Sequence, residues 1–206
     1  MRAGGGDRPP EVADGVFGLG TRWVNFYCVV DGRAAILVDA GHPRYTGQLD
    51  ASLAALGRRI SEVEAAIVTH HHVDHAGTAA YTHRAGATVY VTEGDASIVR
   101  GERPSHPPAG FYREVATPGH TAGHCSGALP DRGVLLAGDA MVNFDYASGA
   151  QGLRLHRFNE DHEAARRSLA RFDDLDVATV LFGHGEPWTK GLPQAVEAIR
   201  TTRSRR

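Results

Sequence analysis

Four times in this chain of 206 residues a short strand-like run, apolar in three of the cases, stops abruptly at a side chain that can bind a metal ion. Ile67-Val68-Thr69 runs into His70-His71-His72-Val73-Asp74-His75, and the strand-like stretch 112–116 runs into Thr117-Pro118-Gly119-His120. Leu135-Leu136-Ala137-Gly138 ends at Asp139, and Leu181-Phe182-Gly183 ends at His184. A lone Asp or His after a strand is commonly a turn or capping residue, because short polar side chains bond their own backbone there. Four placed alike constrain the fold to one that gathers strand ends at a common locus. Seven of the 12 histidines lie in 70–75, 120–124 and at 184, a clustering that solubility does not require.

The rest of the chain reads as scaffold. Residues 1–14 are rich in Gly, Pro and charge and read as a flexible N-terminal arm, with 15–206 a single domain. β-Branched and aromatic residues mark strands at 15–19, 23–31 and 34–39, with Asp31-Gly32 as a hairpin turn. Leu49, Leu53, Ala54 and Leu56 recur at helical spacing within 46–56, and 67–70 then reads as a buried strand. Further helices are predicted at 76–84, 93–100, 160–173 and 193–203, and strands at 87–91, 112–116, 124–129, 133–138 and 177–182. Strands in two groups with helices interspersed predict two packed sheets covered by helices.

A formal net charge of −2 gives no general field for a polyanion, and the basic residues are scattered except for Arg200, Arg203, Arg205 and Arg206. Nucleic acid is therefore not an expected partner. No apolar segment follows the first arginine, and nowhere do 18 apolar residues run together, so a cytoplasmic protein without a membrane partner is expected. Cys28 and Cys125 are too few for a disulfide framework and read as small buried apolar residues.

In a tight loop alternate residues converge while neighbours diverge, so His70, His72, Asp74 and His75 can serve two ions. Imidazole and carboxylate without thiolate suit zinc, iron, manganese or nickel. Pro118 and Gly119 force a turn that aims His120 back toward them.

The set as a whole, spread over about 15–190, closely resembles a metallo-β-lactamase superfamily hydrolase of the glyoxalase II-like branch. The HxHxDH motif of that family matches His70, His72, Asp74 and His75, its later histidine His120, its bridging aspartate Asp139 and its last histidine His184. The resemblance implies an α/β fold, the αββα sandwich of two mixed β-sheets flanked by helices. It implies two divalent metal ions, zinc first, with iron or manganese as other choices. One would be held by His70, His72 and His120, the other by Asp74, His75 and His184, with Asp139 bridging and Asp74 also a catalytic group. Two cations about 3.5–4 Å apart lower the pKa of a shared water, and the hydroxide attacks the carbonyl of an ester, thioester or lactone.

The resemblance also matches Asp39, in Leu37-Val38-Asp39-Ala40-Gly41, to an aspartate beneath the metals. It is read as accepting a hydrogen bond from a ligand imidazole, with a turn residue as the alternative. His124 either supports the site or simply packs, and His71 points away from the metals. His42, His83, His106, His156 and His162 match no metal position and read as surface or locally hydrogen-bonded.

The departures bear on substrate. Glyoxalase II enzymes carry a helical C-terminal part that grips glutathione, whereas this chain ends about twenty residues after His184, which speaks against a glutathione thioester. The interval 76–119 is short, with 101–111 standing where more strand is usual. The cleft is then either more open or covered by a partner subunit of a homo-oligomer. The loop 140–160, with His42 to Tyr45, is the expected wall for a small acyl substrate, and Phe144, Tyr146 and Arg154 are its candidate contacts.

Among relatives, exported β-lactamases do not use the bridging aspartate in this way, di-iron flavin reductases have an acidic residue in place of His72, and RNA-processing members want a basic field. The nearest competitor is a mononuclear iron persulfide dioxygenase, which shares nearly the whole motif set. A non-catalytic metal sensor would be expected to have lost ligands, and none is lost here.

Overall fold

The computed structural model describes residues 8–21, 23–99 and 112–201. The 101–111 segment, His106, residues 1–7 of the arm and the tail arginines Arg203, Arg205 and Arg206 lie outside the described residues. Strands β1 (Glu11–Ala13), β2 (Val16–Gly18), β3 (Tyr27–Asp31), β4 (Ala34–Val38), β5 (Val63–Ile67) and β6 (Thr88–Tyr90) form one sheet in that order. It is antiparallel as far as β4 and parallel from β4 to β6. β7 (Arg113–Ala116), β8 (Cys125–Leu129) and β9 (Val134–Gly138) form a second sheet. β10 (Val142–Asp145) and β11 (Ala150–Arg154) make a separate hairpin, and β12 (Thr179–Phe182) returns to pair in parallel with β9.

Alternation of side chains along the strands sorts the apolar residues into layers. Ile36 and Val38 of β4 face the second sheet, where they pack with Leu129, Val134, Leu136 and Leu181. Their neighbours Ala35 and Leu37 face outward onto α1 (Thr46–Ala55), which buries Leu49 and Leu53 there. In the second sheet Leu135, Ala137 and Val180 face outward onto α6 (Leu192–Thr201), which buries Leu192, Ala195, Val196 and Ile199. The result is helix, sheet, sheet, helix. Truncating Leu136 to Ala, in the middle layer, costs about 2–5 kcal/mol because the neighbours collapse only partly into the space.

Several elements differ from the sequence reading for identifiable reasons. The strand expected at 67–70 runs instead over Val63–Ile67, because the Thr69 N–H leaves the sheet to bond Asp39 Oδ1 at 2.8 Å. The helix expected at 76–84 is two short helices, α2 (Val73–Ala76) and α3 (Ala79–Arg84). That expected at 93–100 is reduced to α4 (Glu93–Ala96), and α5 (His162–Ser168) tightens into a 3-10 turn over Leu169–Phe172. The largest difference lies in 140–160, read as a loop: it contains the β10–β11 hairpin, with its turn held by Asp145, which accepts from Ala147 N and Ser148 Oγ. The stretch read as an arm supplies β1, whose Glu11 accepts from Gly15 N.

Candidate metal centre

All the strand-end residues come to one edge of the two sheets. Asp39 directly follows β4, His70 to His75 follow β5 and form the start of α2, Asp139 directly follows β9, and His184 lies just past β12. His120 sits in the β7–β8 loop. In sheets with parallel strands the carboxyl ends are where ligands bind, because the chain leaves the sheet there and exposes a crevice. Two glycines make the close approach possible. A Cβ on Gly183 would lie 2.1 Å from Asp139 Oδ1, and one on Gly138, whose φ is +55°, would lie 2.8 Å from His124 Nε2.

The structure brings His70, His72, Asp74, His75, His120, Asp139 and His184 together. Donor atoms of His70, His72 and His120 lie within 4.8 Å of one another, as do those of Asp74, His75 and His184. His72 Nδ1 and His120 Nε2 are 3.0 Å apart. Asp139 Oδ2 stands between the groups, 3.3 Å from both His120 Nε2 and His184 Nε2 and 3.7 Å from His75 Nε2. Asp74 Oδ2 is 3.8 Å from the Nε2 atoms of His75 and His184.

Beneath these, Asp39 accepts from His75 Nδ1 at 2.8 Å and from both Thr69 N and Thr69 Oγ1. His124 spans two partners: its Nε2 accepts from the backbone N of Asp139 at 2.9 Å while Nδ1 bonds Thr117 Oγ1 at 2.8 Å. Both nitrogens are therefore committed. His71 turns to the buried Asp95, 3.1 Å away.

The field in this cleft splits the imidazoles. Burial drives His120 down to about 3 and His124 to about 4, and it also holds His70 well below the usual imidazole range. Burial opposes the charge on His75 as well, but the carboxylates of Asp139 and Asp39 outweigh it and carry His75 up to about 10. His184 is raised in the same way, with burial overcome by Asp139. Burial would raise the Asp139 carboxyl, yet His184 and His75 beside it hold it well below the usual carboxylate range.

A metal fits these residues on a simple observation. His70 Nε2, His75 Nε2 and Asp139 Oδ1 are buried with no hydrogen-bond partner in the protein. Buried polar atoms left unpaired cost about 1–3 kcal/mol each, more when charged, so three converging on one space call for a cation among them. Imidazole and carboxylate are the donors that divalent zinc, manganese or iron accepts.

The expected wall is only partly realised. The cleft, of about 270 Å³, is lined by His72, Val73, Asp74, Asp139, Tyr146, His156, Phe158 and His184. Tyr146 lies over His184, ring centroids 4.9 Å apart. Phe144 instead packs on Trp23 at 6.0 Å. Arg154 is not brought to the cleft: its guanidinium is spent on Gly152 O and Gln151 O of its own hairpin. His42 and Tyr45 face each other, with His42 capping a short turn by accepting from Arg44 N.

His156, read as a surface or locally bonded residue, is instead 5% exposed and lies in the cleft, its Nε2 3.6 Å from Asp139 Oδ2. The correction has a source in the text of the chain. In Leu153-Arg154-Leu155-His156 two leucines precede the imidazole, but Arg154 between them breaks the apolar run. Asp95 was also missed. Buried at 1%, it accepts from His71 N, Thr121 Oγ1 and Gly123 N, tying the loop that carries His72 to the loop that carries His120. An Asp within a predicted helix carries no sequence mark of that task.

Comparison with known proteins agrees with this geometry. The family model described as the Metallo-beta-lactamase superfamily matches residues 19–96 and 105–184, and the chain belongs to that superfamily. It is 28% identical to a probable metallo-hydrolase of Bacillus subtilis, with 87% of each chain covered. It is 32% identical to a hydroxyacylglutathione hydrolase of Alkalilimnicola ehrlichii, over 74% of this chain and 57% of that one. Among solved structures, a subclass B3 metallo-beta-lactamase of Bradyrhizobium japonicum superposes with a TM-score of 0.72 at 19% identity, covering 94% of this chain and 91% of that one. With this fold, this family and relatives named as hydrolases, the protein is an enzyme of the hydrolase class, in a family that works with divalent metal ions. Among the described residues no helix is long and apolar enough to cross a membrane.

Proposed function

We propose that this hydrolase acts on a small ester, thioester or lactone through two divalent ions, zinc by preference. His70, His72 and His120 would hold one, Asp74, His75 and His184 the other, with Asp139 shared. The observation that carries this reading is the orphaned set His70 Nε2, His75 Nε2 and Asp139 Oδ1, three buried donors without partners on one space. When bound, the metals supply Lewis acidity and a nucleophile near neutral pH by lowering the pKa of water.

The rest is done by the chain itself. Asp39 accepts from His75 Nδ1, the Trp23 carbonyl from His184 Nδ1 and Asn159 Oδ1 from His120 Nδ1, so each ring in its neutral form has its Nε2 lone pair turned to the cleft. Asp74, 26% exposed at its side chain, is the carboxylate on the substrate side. Val73, Tyr146 and Phe158, all exposed, form an apolar rim suited to an acyl chain and to excluding water. The 57% coverage of the hydroxyacylglutathione hydrolase leaves the glutathione thioester as one member of the panel rather than the presumed substrate. The cytoplasm suits Cys28 and Cys125, both free and buried. We propose no nucleic-acid or membrane partner; a second copy of the chain as subunit is tested by sedimentation.

Elemental analysis of protein purified without added metal, followed by an acyl-substrate panel, is the test. Two zinc ions per chain and hydrolysis abolished in His72→Ala and Asp139→Ala are expected. Undiminished hydrolysis in those variants would sink the proposal. One iron per chain with oxygen uptake on a glutathione persulfide would replace it by a dioxygenase, a reading that leaves the Asp74, His75 and His184 set without a task.

A further inference from the structure

Of the six imidazoles around the centre, five have a neighbour outside the ring set that fixes their neutral tautomer; the sixth, His72, turns Nδ1 to His120 Nε2 at 3.0 Å. A neutral imidazole has one N–H, so whatever bonds one nitrogen dictates the state of the other. His75 Nδ1 meets a carboxylate of Asp39, His184 Nδ1 the carbonyl of Trp23 and His120 Nδ1 the side-chain oxygen of Asn159, all of which only accept. His70 Nδ1 meets Thr69 Oγ1, whose own hydrogen is directed to Asp39. In the neutral form of each of these four rings the proton is on Nδ1, and Nε2 has the lone pair that a metal needs.

His156 is reversed. The backbone N–H of Phe158 donates to His156 Nδ1 at 3.2 Å, so that nitrogen is the acceptor and Nε2 bears the proton. Distance alone groups His156 with His120 and Asp139 as a further metal-binding set. The position of the proton removes it from that set. Its Nε2–H lies 3.6 Å from Asp139 Oδ2, beyond hydrogen-bond reach, and opens on the cleft. The ring is held against His120 at 4.4 Å, His184 at 5.5 Å and Phe158 at 5.7 Å, so the donor is fixed in direction.

We propose that His156 is the N–H donor of this cleft, bonding the acyl oxygen of the substrate, and is not a metal ligand. The proposal rests on the acyl hydrolysis put forward above. A donor already oriented where negative charge develops stabilises the transition state without reorganising. Of the other groups at the cleft, His72 turns Nδ1 to His120, Tyr146 stands exposed at the rim, and Arg154 is turned away.

Three measurements test it. Long-range 15N–1H spectra of the imidazoles should show His156 protonated at Nε2 in both metal-free and zinc-loaded protein; a proton on Nδ1 overturns the proposal. The cobalt-loaded His156→Ala protein should keep the wild-type metal stoichiometry and visible spectrum, whereas a lost ion or altered spectrum makes His156 a ligand. On an acyl substrate, His156→Ala should lower kcat by about 10²-fold, the scale of losing one oriented donor, with KM little changed. His156→Gln, whose amide N–H reaches nearly as far as Nε2–H, should recover much of that loss. An unchanged kcat with metal retained reduces His156 to packing. If the wild-type enzyme hydrolyses no acyl substrate, the functional reading fails, and the substrate role of His156 fails with it; the spectra still separate donor from ligand.

Discussion

On the floor of the cleft two buried carboxylates tie together segments far apart in the chain, whereas on its wall the charged groups serve their own hairpin. Asp39 bonds Thr69 and His75, and Asp95 bonds His71, Thr121 and Gly123. On the wall, Asp145 bonds Ser148 three residues on, and Arg154 bonds Gly152 and Gln151. The floor is therefore rigid through long-range contacts that no single element supplies. The wall can exchange its exposed apolar side chains, Tyr146 at 41% and Phe158 at 52%, at little cost to the fold. A scaffold that holds a fixed site while its loops vary needs both kinds of construction.

The sharpest break of that contrast is on the floor. In Gly183→Ala the new Cβ would meet Asp139 Oδ1 at 2.1 Å and His75 Cε1 at 2.6 Å. Metal content should drop below one ion per chain and kcat/KM by more than about 10²-fold, since even small displacements of reacting groups cost that much. Next comes support without contact: Asp95→Ala should weaken metal binding by about 10–100-fold, as loss of an outer partner does, and destabilise the fold by leaving buried N–H groups unpaired. Competition with a chelator and thermal melts read the two effects.

The floor also titrates. In metal-free protein His75 lies at about 10, above its unfolded value near 6.5. Its contribution to stability is complete below pH 6.5 and is lost as pH rises toward 10. His120 and His124, at about 3 and about 4, lie below the unfolded value, so they cost stability as pH falls from 6.5 toward those values. The Tm of the metal-free protein should therefore peak near pH 6.5. Added zinc should extend the alkaline side, because deprotonating His75 favours binding. A flat Tm from pH 5 to 9 contradicts this.

Changes on the wall should be milder. Tyr146→Ala and Phe158→Ala should raise KM about 3- to 10-fold, the worth of 1 kcal/mol or so of apolar contact, with metal content unchanged. Arg154→Ala should leave both alone. Smallest of all, Cys28, buried in the layer against α1 and pushed up by that burial to about 12, should not react with a thiol reagent at pH 8 until the protein unfolds.

The two regions differ in legibility as well. Ligand-type residues at strand ends were plain in the chain because short apolar runs with abrupt polar stops are local patterns, and the layers followed from the grouping of strands and helices. The β10–β11 hairpin was hidden because Val142 to Arg154 has few buried side chains and closes through Asp145 and Ser148, a turn that resembles any polar loop. Asp95 lay unremarked in the helix expected at 93–100, since only its three distant donors distinguish it.

By itself the sequence determined which groups could meet a metal, and that a two-sheet scaffold would carry them on loops after its strands. Only the tertiary structure decided which way the rings turn their nitrogens, that His156 joins the cleft, and that Arg154 does not. The physical reason is that these outcomes depend on backbone groups, the Phe158 N–H and the Trp23 carbonyl, which every residue possesses and whose direction exists only once the chain has folded.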